Sequence, residues 1–131
     1  MIKKVEHVAL IATDMEKSIS YYSSMFGFSL RARRQNKTRD LAFLQHDQQP
    51  GFEIELICDL VPQGEYSDKG VVNHLAFTVE NMDEAVQFYK EKGITFNSET
   101  YDTANDGTKT IFFNGPNKEL LQFVERGSVE W

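Results

Sequence analysis

Four side chains able to donate to a metal ion recur at one spacing. His7 and His74 stand 67 residues apart, and so do Glu55 and Gln122. The segments that carry them read as strands, where alternate side chains share a face. In residues 52–57, FEIELI, the period of two puts Phe52, Ile54 and Leu56 on one face and Glu53 and Glu55 on the other. In LLQFV, Leu121 and Phe123 share one face, while Gln122 stands between Leu120 and Val124 on the other. A carboxylate on a largely buried strand needs a cation, a metal or water. Two imidazoles, one carboxylate and one carboxamide make a donor set suited to a divalent ion, if the two copies face each other. Taken singly, a strand histidine is more often structural and a strand glutamate more often solvated or salt-bridged. The common offset is what sets these four apart.

The same offset extends to the elements that would position them. HVALIATDMEKSISYY from His7 aligns with HLAFTVENMDEAVQFY from His74, matching Asp14 to Asn81, Met15 to Met82, Ile19 to Val86 and Tyr22 to Tyr89. An internal repeat of this kind predicts two copies of one structural unit. Each copy opens with an apolar strand, residues 4–12 and 71–79. A helix follows in each, with Thr13 and Glu16 in the first, and Asn81 and Glu84 in the second, at capping-box spacing. Met15, Ile19, Tyr22 and Phe26 form one apolar helical face, and Met82, Val86 and Tyr89 the other. Gly27 and Gly93 stand where left-handed helix ends are expected.

Three strands then complete each copy, at 28–36, 40–46 and 52–60, and at 94–101, 108–114 and 119–126, with hairpin chemistry at Asn105, Asp106 and Gly107. The polar stretch 61–70 reads as a linker. The expectation is an α+β chain of two βαβββ modules, about 1–60 and 71–126, within one domain spanning 1–131.

Composition bounds the function. The 131 residues carry 20 acidic and 14 basic side chains, a net charge of −6, which disfavours a nucleic-acid partner. The apolar run from Val8 to Ala12 is too short for a secretory core or a bilayer span, so no membrane partner is expected. Cys58 is the single cysteine, which excludes an intrachain disulfide and fits a reducing cytoplasm.

At these residues the chain resembles the vicinal-oxygen-chelate superfamily, which includes glyoxalase I, methylmalonyl-CoA epimerase, extradiol dioxygenases, and bleomycin and fosfomycin resistance proteins. The resemblance is carried by HVALIATDMEKSISYYSSMFGF, by IEL at 54–56, by NHLAFTVENMDEAV and by GPNKELLQFVE. It implies paired βαβββ modules forming a cupped, half-closed mixed sheet with helices outside, around a metal. Within the superfamily the pattern is most similar to glyoxalase I. That likeness implies His7, Glu55, His74 and Gln122 as ligands of one divalent ion, Ni, Co, Zn or Mn. It further implies a lyase or isomerase acting through an enediolate on a small hydroxy-carbonyl substrate, free or as a thiol adduct. A homodimer is implied as well, since family members often pair chains.

The chain departs from glyoxalase I at three points. Gln122 stands where those enzymes have a glutamate base, and a carboxamide cannot accept a proton at neutral pH; Glu55 is then the one carboxylate ligand left as catalytic base. Ile11 and Asp59 replace an arginine and an asparagine that contact glutathione, which argues against that thiol. Gln122 also breaks the two-histidine, one-glutamate set of dioxygenases and fosfomycin transferases. The competing expectation is a metal-free binding module of the bleomycin-resistance type.

Other residues carry weaker signals. Arg31, Arg33, Arg34, Lys37 and Arg39 fit an anion site, or, preferably, a solvated edge strand. The 101–109 loop, with Tyr101 and Lys109, reads as a plain hairpin rather than a flap over a site. Glu53 shares the face of Glu55, and Glu119 is expected to face solvent. Cys58 reads as core rather than nucleophile, and Tyr21, Phe26 and Phe28 as core or a dimer seam.

Overall fold

The computed structural model describes residues 5–61 and 74–127. The chain divides into two compact units, Met1–Tyr66 and Ser67–Trp131. The first contains β1 (His7–Ile11), α1 (Met15–Phe26), β2 (Ser29–Gln35), β3 (Arg39–Gln45) and β4 (Glu53–Asp59). The second contains β5 (Leu75–Thr78), α2 (Met82–Glu91), β6 (Asp102–Thr103), β7 (Lys109–Asn114) and β8 (Leu120–Glu125). The two βαβββ modules of an α+β fold are therefore present. Apart from Val61, the expected linker 61–70 lies outside the described residues, as do residues 71–73 of the expected fifth strand.

Each unit has its own open, mixed, four-stranded sheet, in the order β1-β4-β3-β2 and β5-β8-β7-β6. The first and last strands of each module run parallel, while β3 and β7 pair antiparallel with β4 and β8. Alternation then sorts the side chains. Ala42, Leu44, Ile54 and Leu56 are buried with Met15, Ser18 and Tyr22 of α1. In the second unit Met82, Ile111, Phe113, Leu121 and Phe123 are buried. The rings of Tyr89, Phe96 and Phe113 all pack on Phe123, with centroids 4.9, 5.9 and 4.7 Å away. Tyr21, Phe26 and Phe28 pack around the fully buried Tyr22.

Two sequence expectations are corrected. The first helix is capped by Asp14 rather than Thr13: the Asp14 carboxylate accepts the backbone N–H of Lys17 at 3.1 Å. This makes it the counterpart of Asn81, which accepts from Glu84 N–H at 3.0 Å. Gly27 (φ 79°) and Gly93 (φ 107°) do supply the positive φ needed beyond the helices. The second correction is the strand expected at 94–101. Ile94 and Phe96 are buried, but Phe96 makes only an isolated bridge to Phe113. Asn97 N–H still donates to Phe112 O at 2.8 Å, but Ser98–Thr100 leaves the sheet, with the Ser98 hydroxyl donating to Thr100 O, and pairing resumes as the two-residue β6. Side-chain-to-backbone bonds of this kind compete with a strand ladder.

The caps make a direct test. Asp14→Ala and Asn81→Ala should each cost about 1 kcal/mol of unfolding free energy in urea. Thr13→Ala should cost less than Asp14→Ala in the same titration, since Asp14 carries the cap.

Candidate functional site

In the first unit the site begins with the parallel register of β1 on β4, which sets His7 opposite Glu53 and Ala9 opposite Glu55. Residues directly opposite share a sheet face, so His7, Ala9, Glu53 and Glu55 all project from the face away from α1. The His7 Nε2 atom lies 3.4 Å from Glu55 Oε1, with the glutamate side chain 15% exposed and the imidazole 41% exposed. On the other side of His7, Nδ1 lies 3.1 Å from Glu6 Oε1.

The second unit repeats the arrangement. β5 on β8 sets Ala76 opposite Gln122, and His74 immediately precedes β5. On the far side of each donor stands a phenylalanine: Phe43 faces Glu55 across β3 and Phe112 faces Gln122 across β7. Each module thus places its donor between an alanine and a phenylalanine. The alanine methyl leaves room beside the donor, and the phenylalanine makes an apolar wall. The His74 ring stands edge-on to Phe112 at 5.5 Å. Ala9 and Ala76 share the offset of the donors and could have been found from it. Phe43 and Phe112 do not, because the loops between the later strands differ in length.

The structure brings His7 and Glu55 together and sets His74 and Gln122 on matching positions of the other sheet. Among the described residues, no three His, Cys, Asp or Glu side chains form a cluster able to hold a metal ion.

The arginine-rich β2 is an edge strand, as expected, but Arg31 and Arg33 are paired to carboxylates rather than simply solvated. Arg31 reaches both Glu53 oxygens through Nε and Nη2, the latter at 2.8 Å, and lies over the Phe43 ring. Glu53 is thereby engaged by a cation beside the candidate site. On the opposite face, Arg33 donates twice to Asp40 (3.1 and 2.7 Å) and once to Glu16 of α1. These bonds hold the Arg33 guanidinium well above its ordinary range, Asp40 contributing most. Arg39 pairs with Asp59 at 3.1 Å. An open cleft of about 550 Å³ adjoins Glu6, Arg31, Gln45, Phe52 and Glu53.

The third histidine is structural. His46 Nδ1 accepts the Gln48 N–H at 3.1 Å, which assigns the ring proton to Nε2, 2.8 Å from Phe26 O at the end of α1. Residues 102–110 form a hairpin. Within it the Thr108 N–H and hydroxyl hold the Asp106 carboxyl below its ordinary range. Lys109 pairs with Glu125 at 3.7 Å and lies over the Tyr101 ring, and a hydrogen bond to Asp83 pushes the Tyr101 phenol up. Glu119, expected to face solvent, instead folds onto its own turn and accepts from Asn117 N–H at 2.7 Å. Cys58 shares the helix-side face with Ile54 and Leu56; burial first, then Asp40, Asp59 and Asp14, push its thiol up.

Comparison with known proteins gives a consistent result. The profile of the Glyoxalase/Bleomycin resistance protein/Dioxygenase superfamily matches residues 6–112. The uncharacterized proteins YwkD and YwbC of Bacillus subtilis (strain 168) are 30% and 28% identical, over 96% of this chain and 99% and 100% of theirs. The crystal structure of a glyoxalase family protein from Enterococcus faecalis is 26% identical, with a TM-score of 0.76, covering 94% of this chain and 98% of that one. No helix among the described residues is long and apolar enough to cross a membrane.

The Cys58 environment predicts a pH dependence. Its raised thiol pKa lowers the thiolate fraction at pH 8, so iodoacetamide should label Cys58 more slowly than free cysteine. The labelling rate should keep rising to a higher pH than that of free cysteine, as followed by mass spectrometry.

Proposed function

The chain belongs to the glyoxalase/bleomycin resistance protein/dioxygenase superfamily, and on that premise we propose that it is a divalent-metal-dependent lyase or isomerase acting on a small hydroxy-carbonyl substrate. The observation that carries this reading is the His7–Glu55 pair, with His74 and Gln122 at the matching positions of the second module. An imidazole nitrogen and a carboxylate oxygen 3.4 Å apart are donors that would suit one divalent ion. His7, Glu55, His74 and Gln122 would hold the ion, with Ni, Co, Zn or Mn suited to such a mixed nitrogen and oxygen set. When bound, a divalent ion supplies Lewis acidity toward two adjacent substrate oxygens.

The chain's own residues supply the remaining functions. Glu55 is the base: its carboxylate takes the proton from the carbon next to the carbonyl, leaving an enediolate in the substrate, and returns the proton at the neighbouring carbon. Gln122 has no basic atom and orients by its amide oxygen alone. Ala9 and Ala76 leave clearance for substrate, and Phe43 and Phe112 shield the reacting carbon from water. Asp59, paired with Arg39, offers no welcome to a glutathione carboxylate. A reducing cytoplasm and a homodimer belong to the same reading.

The neutral Gln122 favours a second reading, a metal-free module that binds a small molecule without turning it over. Elemental analysis of untagged protein purified without chelator separates the two. The enzyme reading expects close to one divalent ion per chain, lost in His74→Ala. It also expects Glu55→Gln to slow solvent-deuterium exchange into a hydroxy-carbonyl substrate by about 100-fold or more. Protein that takes up no Ni, Co, Zn or Mn while fully folded would be the binding module.

A further inference from the structure

Resting on the reading that His7 ligates a divalent ion, we propose that Glu6 is a positioning residue: it fixes the ring proton of His7 on Nδ1 and so presents Nε2 as the ligating atom. A neutral imidazole has one N–H and one lone pair, and a carboxylate only accepts. His7 lies between two carboxylates, so its single proton can serve one of them. The Glu6 contact, 3.1 Å from Nδ1, has hydrogen-bond geometry. The Glu55 contact, 3.4 Å from Nε2, is an ion-pair distance.

With the proton on Nδ1, the Nε2 lone pair faces the lone pairs of Glu55 Oε1. Two acceptors that close repel each other unless a proton or a metal ion lies between them, and on a neutral ring with its proton on Nδ1 the metal ion takes that role. The opposite tautomer would spend Nε2–H on Glu55 and remove the lone pair from the site. A carboxylate behind a ligating histidine also makes the ring a stronger donor.

Glu6 is held for this task by its backbone, since Glu6 O accepts the Glu53 N–H at 2.9 Å at the start of the β1–β4 pairing. Its side chain is 74% exposed, so the bond acts on proton placement rather than on stability. The device belongs to the first module: the residue 67 positions on is Asn73, an amide.

The test reads the ring directly. Long-range 15N–1H NMR of metal-free protein labelled at histidine, near pH 9 where an ordinary imidazole is neutral, should show the His7 proton on Nδ1. Glu6→Ala should move it to Nε2 and weaken binding of cobalt(II) alone by about 10-fold or more. Glu6→Gln, which keeps an accepting oxygen, should restore most of both. An unchanged melting temperature in each variant would exclude misfolding. A wild-type ring protonated at Nε2, or a Glu6→Ala ring that keeps its Nδ1 proton, overturns the proposal. Should cobalt(II) bind neither wild type nor variant, the metal reading fails, while the proton's position still decides the role of Glu6.

Discussion

The parallel pairing of each module's first strand with its last is the constraint on which the rest of the molecule depends. It brings His7 beside Glu55 across 48 residues of chain, and it does so by register alone. A slip of one residue would turn Glu55 toward α1 and Ile54 toward the open face. The buried Ile54 and Leu56 prevent that slip, so the hydrophobic core and the polar site are two consequences of one alignment. In the second module Leu121 and Phe123 hold Gln122 in the same manner.

The two modules reach this common geometry with different cores. The first fastens its sheet on both faces with arginines: Arg31 to Glu53 on the open side, and Arg33 through Asp40 to Glu16 on the helix side. Asp40, 5% exposed, is the costlier member, because a buried carboxylate without its cation is strongly destabilising. The second module relies on tilted phenylalanine rings packed around Phe123. An ionic scaffold beside the candidate site does more than hold strands together. It occupies Glu53, so of the two neighbouring β4 carboxylates Glu55 is the one not tied to an arginine.

Most of the architecture was legible in the sequence, because the repeat showed it twice. Strand alternation separated Glu53 and Glu55 from Ile54 and Leu56, and one offset tied together the histidines and the strand donors. The failures have physical causes. Thr13 and Asp14 are both good caps, and only the backbone path decides which carries the bond. Ile94 and Phe96 alternate like a strand, yet beyond Asn97 the chain turns on a local bond from Ser98 to Thr100. Glu119 could not be placed because its partners belong to its own turn. The phenylalanines flanking the donors were hidden by unequal loops, and the partners of the arginines lie on other strands or on a helix, beyond any sequence period.

The β1–β4 register also governs the order of assembly. Within its module β1 is synthesised first and its sheet neighbour β4 last, so β1 cannot be seated until α1, β2 and β3 have all been synthesised. Contacts between distant parts of a chain are late and slow to form. The His7–Glu55 pair exists only once that register has formed, so an ion that binds the finished pair favours the native state. Its binding energy is then added to the folding equilibrium, and the edge of the sheet that is last to arrive becomes the edge the ligand locks.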